Sequence, residues 1–510
     1  MAPRHIVAML IPAWGHTCSY LYIATQALQK DHNLVITMVQ HNVLVAQMEA
    51  ELKTFAYDAT RLRILGVGDK DIEFGPTMIK EAFGQLVVGW MELIPQLAQE
   101  SDEWPKPRAI HMDFFVGGLV IEPTKQIMGP ACKMLLWFSC ALVSLPAHLT
   151  EYDFAAITEE IYSDETRRQA RSKDEILEQV ALAWNGTDKL SGRVIECPGI
   201  PDMYDYERVA YAAGAPQGID QLLVAAQKLE KIVDGLIVPT ATCFEPVAVP
   251  YCRELYKKRG KELFTVGMQA HELCWTDAAP VLPTNEAVRS FLDSAVAQHG
   301  AKSVLYISFG SLFFPLATPE LVEALVDTLL TLEQPFPFLF ALGGKLASLP
   351  KELIERVNTS GKGLICAFWV EQRAILQHGA VGWFLTHCGY NSTSESLSQG
   401  IPLIAWPTNA EQPVTALLLS SGPRPVAIEL MQIRAGPQLA PPLRGGPAPT
   451  GTVEAATAEF RAAFAAARGP RGAVLTANAA DMARTLRVAR MGEAGEEIGR
   501  LAQFLGPIEN

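Results

Sequence analysis

The chain has 510 residues, 49% of them hydrophobic and 19% charged, a globular composition that excludes disordered and collagen-like chains. At about 150 residues per domain, this length accommodates two large domains or three small ones. A formal net charge of −13 argues against nucleic-acid binding, which needs Lys and Arg clustered on phosphates, so a small-molecule partner is expected.

The opening stretch "MAPRHIVAMLIPAWGHT" has a short apolar run, His5 to Pro12, that meets Trp14-Gly15-His16 without a small-residue cleavage site, so it reads as a first buried strand and not a secretion signal. Short apolar runs then alternate with helical periods: "HIVAML" before 19–29, "NLVITMV" before 43–52, "RLRILGV" before 78–98, "RAIHM" before 116–128, then "CKMLLWF". Strands buried on both faces are continuously apolar, so each step predicts a parallel βαβ unit and the whole a doubly wound α/β half. The pattern restarts after Leu292 with "SVLYISF", "FPFLFAL", "GLICAF", "VGWFLTH", "PLIAW" and "PVAIEL", which predicts a second doubly wound half.

Between the halves, 261–285 is rich in Pro, Ala and Asp and loses periodicity after "LFTVG", as suits a linker. Domains over 1–260 and 286–510 are expected on either side, with ligands at the carboxyl ends of the strands, in the cleft between domains. "IRAGPQLAPPLRGGPAPTGT", 433–452, has too much Pro and Gly for a regular element and is expected to be a mobile surface insertion. The most apolar long window, 131–149, is broken by Lys133 and Pro146, short of the roughly 20 unbroken residues of a spanning helix. Nine Cys without a C-x-x-C pair suggest core thiols of a reducing compartment, and a cytoplasmic location.

Two strand-ending turns in the second half carry the chemistry. "FGS", 309–311, closes one strand, and "THCGYNSTSES" crosses from the strand at Val381 to a helix beginning near Asn391. A strand, a Gly-containing turn and a helix start together offer backbone N–H groups and a positive dipole end, a ready anion site to which His387, Asn391 and Ser392 add side-chain donors. Around them stand Trp369, Gln372, Gly382, Gly389, Glu395, Gly400, Pro402, Trp406, Pro407, Glu411 and Gln412. This run from Trp369 to Gln412 resembles the sugar-nucleotide-binding signature of the family 1 glycosyltransferases, the UDP-glycosyltransferases of secondary metabolism.

The resemblance implies the GT-B architecture, two facing Rossmann-like domains, with the acceptor in the first and the UDP-sugar in the second. Trp369 would stack on uracil and Gln372 border it, while Glu395 would accept the ribose hydroxyls. His387, Gly389, Asn391, Ser392 and the Ser311 turn would hold the diphosphate, with the helix dipole and His387 carrying the leaving-group charge. Glu411 and Gln412 would bind the donor sugar. Gln at the last place goes with glucose in this family, His with galactose, so UDP-glucose is the first expectation. The sequence departs from the family at Tyr390, which stands where most members have Trp and so admits UDP-xylose as a second donor, and at Leu312-Phe313-Phe314, which replaces a Thr-rich segment.

In the first half, the resemblance assigns a general base to His16 of "PAWGHT" and its orienting carboxylate to Asp113 of "IHMDFF". A neutral imidazole would take the proton of an acceptor hydroxyl, and the carboxylate would fix its tautomer. The expected reaction is inverting transfer to a small lipophilic alcohol or phenol by a monomer that needs no cofactor beyond the UDP-sugar itself. Trp14, Phe114, 138–145 and 78–90 would line the acceptor pocket.

Simpler readings apply elsewhere. Asp69-Lys70-Asp71 fits a D-x-D metal pattern but reads as a solvated loop, so no metal site is expected. Trp406, before Pro407, reads as packing. Asn185-Gly186-Thr187 and Asn391-Ser392-Thr393 are chance sequons, and the Ala- and Arg-rich stretch 461–487 a solvated helical region. The rival functions are a non-catalytic sugar-nucleotide sensor, which has no use for a base–carboxylate pair, and an NAD-dependent oxidoreductase, which lacks G-x-G-x-x-G after the first strand.

Overall fold

The computed structural model describes residues 3–72, 78–99, 103–150, 152–185, 192–208, 219–276, 279–344 and 346–506. The chain divides into two compact units, one of residues 1–189, 215–269 and 488–510, the other of residues 190–214 and 270–487.

In the first unit the strands are β1 (Arg4–Met9), β2 (Leu34–His41), β3 (Leu62–Val67), β4 (Ala109–Asp113) and β5 (Lys133–Trp137). A two-stranded ribbon of β6 (Val194–Ile195) and β7 (Met203–Tyr204), part of the second unit, precedes β8 (Gly235–Val238) and β9 (Glu262–Thr265), which return to the first sheet. The seven strands run in the order β3-β2-β1-β4-β5-β8-β9, all parallel. The second unit holds β10 (Val304–Ser308), β11 (Phe338–Ala341), β12 (Gly363–Cys366), β13 (Val381–Thr386), β14 (Leu403–Ala405) and β15 (Ala427–Glu429), a parallel sheet in the order β12-β11-β10-β13-β14-β15.

The apolar runs form strands because helices cover both sheet faces: Ile6, Ala8, Ile36 and Met38 are buried in the first core, Leu305, Ile307, Phe338 and Phe340 in the second. Each sheet reverses its strand order once, at β1/β4 and at β10/β13. Adjacent connections there leave in opposite directions, and the gap they open at the carboxyl end is where doubly wound sheets bind ligands. All three turns that carry the expected chemistry, after β1, β10 and β13, and the end of β4 itself, lie at these points.

The boundaries differ from those read off the sequence. The stretch expected to be a linker, 261–285, begins with β9, and the larger segment of the second unit starts at Ala270. The terminal helix Glu493–Gln503 belongs to the first unit, where Ile498, Leu501 and Ala502 pack beside Leu21 and Leu28 of helix Trp14–Lys30. The stretch 433–452, expected to lack regular structure, carries a 3-10 turn, Gly436–Leu439, and is tied at several points. Arg434 and Arg444 both pair with Glu429 at 2.7 and 2.8 Å, and Glu207 accepts from the Leu443 N–H at 2.8 Å. Residues 461–487 are helical, but Phe460, Ala463 and Phe464 turn a buried face to the core, and Trp406 stacks on Phe460 at 5.4 Å. No helix among the described residues is long and apolar enough to cross a membrane.

Candidate active site

His16 lies in the first turn of helix Trp14–Lys30, which begins directly after β1, and Asp113 is the last residue of β4. The turn before the helix is held by Gln40, whose amide donates to the Ile11 carbonyl and to Thr17 Oγ1. His16 Nδ1 stands 2.7 Å from Asp113 Oδ2. The Asp113 side chain is 0% exposed, and its other oxygen accepts from the Phe115 N–H at 3.2 Å. A carboxylate accepts only, so the Nδ1 position carries the proton and the lone pair is left on Nε2. Trp137 adds a third tie, its indole donating to the His16 carbonyl at 3.2 Å. The rings of Phe114 and Phe115 lie 5.8 and 5.7 Å from the imidazole.

In the second unit, Ser308 and Thr386 are paired across β10 and β13, so the turns 309–311 and 387–389 leave from adjacent strand ends. The His387 imidazole fills the space between them. A Cβ on Gly310, which has φ 77°, would lie 2.6 Å from His387 Cε1, and one on Gly389 would lie 2.3 Å from Nε2. Only glycine fits in either place. Cys388 between them takes φ 64°, an uncommon conformation for a residue with a side chain, of the kind that concentrates at ligand-holding turns. Helix Tyr390–Ser398 then starts from Gly389 without a side-chain cap.

Burial pushes the His387 imidazole down to about 4, with a hydrogen bond to the Ser308 backbone pulling the other way. The ring is therefore neutral at ordinary pH. What His387 offers an anion is an N–H dipole, beside the helix start expected to share the leaving-group charge. The shortened hydroxyl content of the turn is also visible: Phe313 sits 6.1 Å from the His387 ring, where the sequence departs from the family. Ser311 follows Gly310 in the same turn and is half-buried.

Four expected residues form one network. Gln372 Nε2 donates to Glu395 Oε2 at 2.6 Å and reaches Ser392 Oγ at 3.3 Å, and Asn391 Nδ2 donates to Glu395 Oε1 at 3.3 Å. Tyr306 of β10, not singled out in the sequence because it lies in a continuous apolar run, donates its hydroxyl to Gln372 Oε1 at 3.3 Å. An ionised carboxylate offers about four acceptor sites and donates none, which is the chemistry that ribose hydroxyls need. Trp369 is 55% exposed, unlike the buried Trp406 and Trp383. Its backbone passes Gly343 so closely that a Cβ there would lie 2.9 Å from Trp369 Cα, which fixes the loop while leaving the ring in solvent.

Two expectations change at the sugar end. Gln412 is 1% exposed, and its Oε1 already accepts from the Thr408 N–H, the Thr408 hydroxyl and the Asn409 N–H, each at 2.9 Å. The amide therefore cannot both accept from and donate to a ligand; only its NH₂ end remains for one. Tyr390, expected to reshape the wall facing the sugar, is 3% exposed and packed in the core. Glu411, at the cap of helix Gln412–Ser420, is half-buried. Likewise 138–145, expected to line an acceptor pocket, is packed away, with Leu142 and Val143 held by the buried carboxylate of Glu245. The sides left partly open near His16 are those of Trp14 and Phe115.

Asp69 and Asp71 lie on the first unit, where Asp69 Oδ1 accepts from the Asp71 N–H at 2.9 Å in a solvent-exposed turn. Among the described residues no three His, Cys, Asp or Glu side chains are grouped to hold a metal. Of the sequon at Asn185, residues 186 and 187 lie outside the described residues.

Residues 275–432 match the family model described as UDP-glucoronosyl and UDP-glucosyl transferase. The chain is 34% identical over 324 residues to the UDP-glycosyltransferase eriJ of Hericium erinaceus, covering 61% of this chain and 62% of that protein. It is 28% identical over 226 residues to the nuatigenin 3-beta-glucosyltransferase of Solanum aculeatissimum, covering 43% of this chain and 45% of that one. The aligned stretches thus span less than two thirds of either relative. Among solved structures, Medicago truncatula UGT71G1, crystallised with UDP-glucose, superposes with a TM-score of 0.67 over 98% of both chains at 19% identity. That likeness gives the GT-B fold, and the signature Trp369 to Gln412 falls wholly inside the stretch that matches the UDP-glucoronosyl and UDP-glucosyl transferase model.

Proposed function

We propose that this protein is an inverting glycosyltransferase that moves a sugar, glucose by first choice, from a UDP-sugar to a hydroxyl of a small lipophilic acceptor. The observation that carries the reading is the His16–Asp113 pair, 2.7 Å apart with the carboxylate fully buried. His16 Nε2 takes the acceptor proton as the acceptor oxygen bonds to the anomeric carbon, and the bond from that carbon to the diphosphate breaks on the opposite face. Asp113 stabilises the imidazolium formed. The leaving UDP takes up its charge against the N-terminus of helix Tyr390–Ser398, with dipolar help from neutral His387.

The relatives' names support glucose as the donor sugar, with xylose, admitted by Tyr390 in place of Trp, as the second choice. The aromatic rings of Phe114 and Phe115 beside His16 favour a flat or greasy acceptor such as a phenol, polyketide, terpenoid, sterol or lipid alcohol. The reaction needs no resident cofactor or metal. A panel of UDP-glucose, UDP-xylose, UDP-galactose and UDP-glucuronate, run in excess chelator over hydroxylated lipophilic acceptors, is expected to give the highest kcat/KM with UDP-glucose. Another donor ranking first overturns the glucose assignment, and activity restored only by manganese overturns metal independence.

Donor binding has its own test. Trp369→Ala and Glu395→Ala are each expected to weaken UDP affinity by about 1–3 kcal/mol, for lost stacking and for stranded ribose hydroxyls respectively. Calorimetry with UDP measures both, and unchanged affinity in the two variants would remove the nucleotide from this network.

A further inference from the structure

Directly beside the His16–Asp113 pair lies a second contact between the same helix and the same strand. Tyr20 Oη is 2.5 Å from His111 Nδ1, and both side chains are buried. Positions four apart on a helix share a face and rise about 6.0 Å. Positions two apart on a strand share a face and rise about 6.6 Å. His16 and Tyr20 are four apart, Asp113 and His111 two apart, so the helix and β4 meet in two rungs of nearly equal spacing.

The second rung is not explained by stability. His111 Nε2 is buried and has no hydrogen-bond partner among the described residues. An apolar pair of the same size would pack there without leaving a polar atom stranded. Burial pushes the His111 imidazole down to about 3 and the Tyr20 hydroxyl up, so both groups are neutral and the rung does not titrate with the working pH. The Tyr20 ring also meets Trp137 edge-on at 5.6 Å, and Trp137 is the residue whose indole holds the His16 carbonyl. Helix, β4 and β5 are thus joined at one level below the base.

We propose that Tyr20 and His111 are positioning residues: their hydrogen bond sets the register of helix Trp14–Lys30 along β4 and so holds His16 Nδ1 against Asp113 in one tautomer. The proposal rests on the reading of His16 as the base. A slide of the helix by about 1 Å would leave Asp113 bound to the Phe115 N–H but draw His16 out of line, and misplacement on that scale costs up to about 10²-fold in rate.

The test compares wild type, Tyr20→Phe and the double variant Tyr20→Phe/His111→Leu in the full chain. Three quantities are read: kcat and KM with UDP-glucose, Tm, and the His16 tautomer from ¹⁵N spectra of histidine-labelled protein. Tyr20→Phe is expected to lower kcat about ten- to hundredfold with the donor KM unchanged, and to replace the single Nδ1–H tautomer of His16 by a mixture. The double variant, with no stranded nitrogens, is expected to regain Tm but not kcat. Recovery of kcat together with Tm overturns the proposal, because the rung would then be packing alone. So does an unchanged His16 tautomer in Tyr20→Phe. That second readout needs no turnover, so it decides the matter even if His16→Ala proves active and the base assignment itself fails.

Discussion

His16→Ala is expected to lower turnover of a neutral alcohol by about 10²–10⁴-fold while leaving UDP affinity unchanged. In the proposed mechanism the alcohol proton leaves to His16 Nε2 as the oxygen bonds to carbon, with Nδ1 committed to Asp113. The residues expected to bind UDP all belong to the second unit, and His16 to the first, so removing the imidazole takes nothing from the nucleotide. Steady-state kinetics with an aliphatic alcohol, alongside UDP calorimetry, checks both halves. Wild-type turnover in the variant would rule out the base mechanism. A phenol discriminates less, because it is already acidic enough to react in part without a base.

The residues of this site were legible in the sequence to the extent that they sit on turns. Parallel strands buried on both faces announce themselves as continuous apolar runs, so β1, β4, β10 and β13 and the turns after them could be placed, and those turns hold the expected site residues. Short strands gave less signal: β8 is four residues long, and β9 fell inside a stretch rich in linker residues. The Pro- and Gly-rich 433–452 could not be read because, besides the nearby Glu429, its ties include Glu207 and Tyr206, which come from more than two hundred residues earlier. Composition reports what a segment can do alone, and this one is held by others.

Side-chain direction was the other illegible quantity. A signature names Gln412 as a residue that meets the sugar, yet its oxygen is consumed by Thr408 and Asn409, a fact of loop geometry that no spacing encodes. Nor does any spacing encode the burial of His387 between two glycines, which makes it a neutral dipole. Tyr20 and His111 carried no signal at all, since their meeting depends on the near match between helix and strand rise.

Asp113→Asn is expected to be at least as damaging as loss of the base, and more damaging than Asp113→Ala. In the wild type Asp113 Oδ1 accepts from the Phe115 N–H and Oδ2 faces His16 Nδ1. An asparagine keeps its oxygen toward Phe115, because reversing the amide would set two N–H donors against each other. Its NH₂ then points at His16 Nδ1, which must accept, so the ring proton moves to Nε2, where the lone pair was needed. The side chain is fully buried and nearly isosteric, so the fold has no easy way to relax the reversal. A wrong tautomer of this kind costs on the order of 10⁴-fold where a base–carboxylate pair does the chemistry. Alanine merely frees the ring: a fraction of His16 keeps the useful tautomer, and the loss is expected to be about 10²–10³-fold, within the range of an impaired general base. The ordering Asn below Ala, measured as kcat with UDP affinity held as the control, separates tautomer control from simple loss of charge, since both variants remove the charge equally. If Ala proves the slower of the two, Asp113 acts on His16 through its charge and not through the proton it pins.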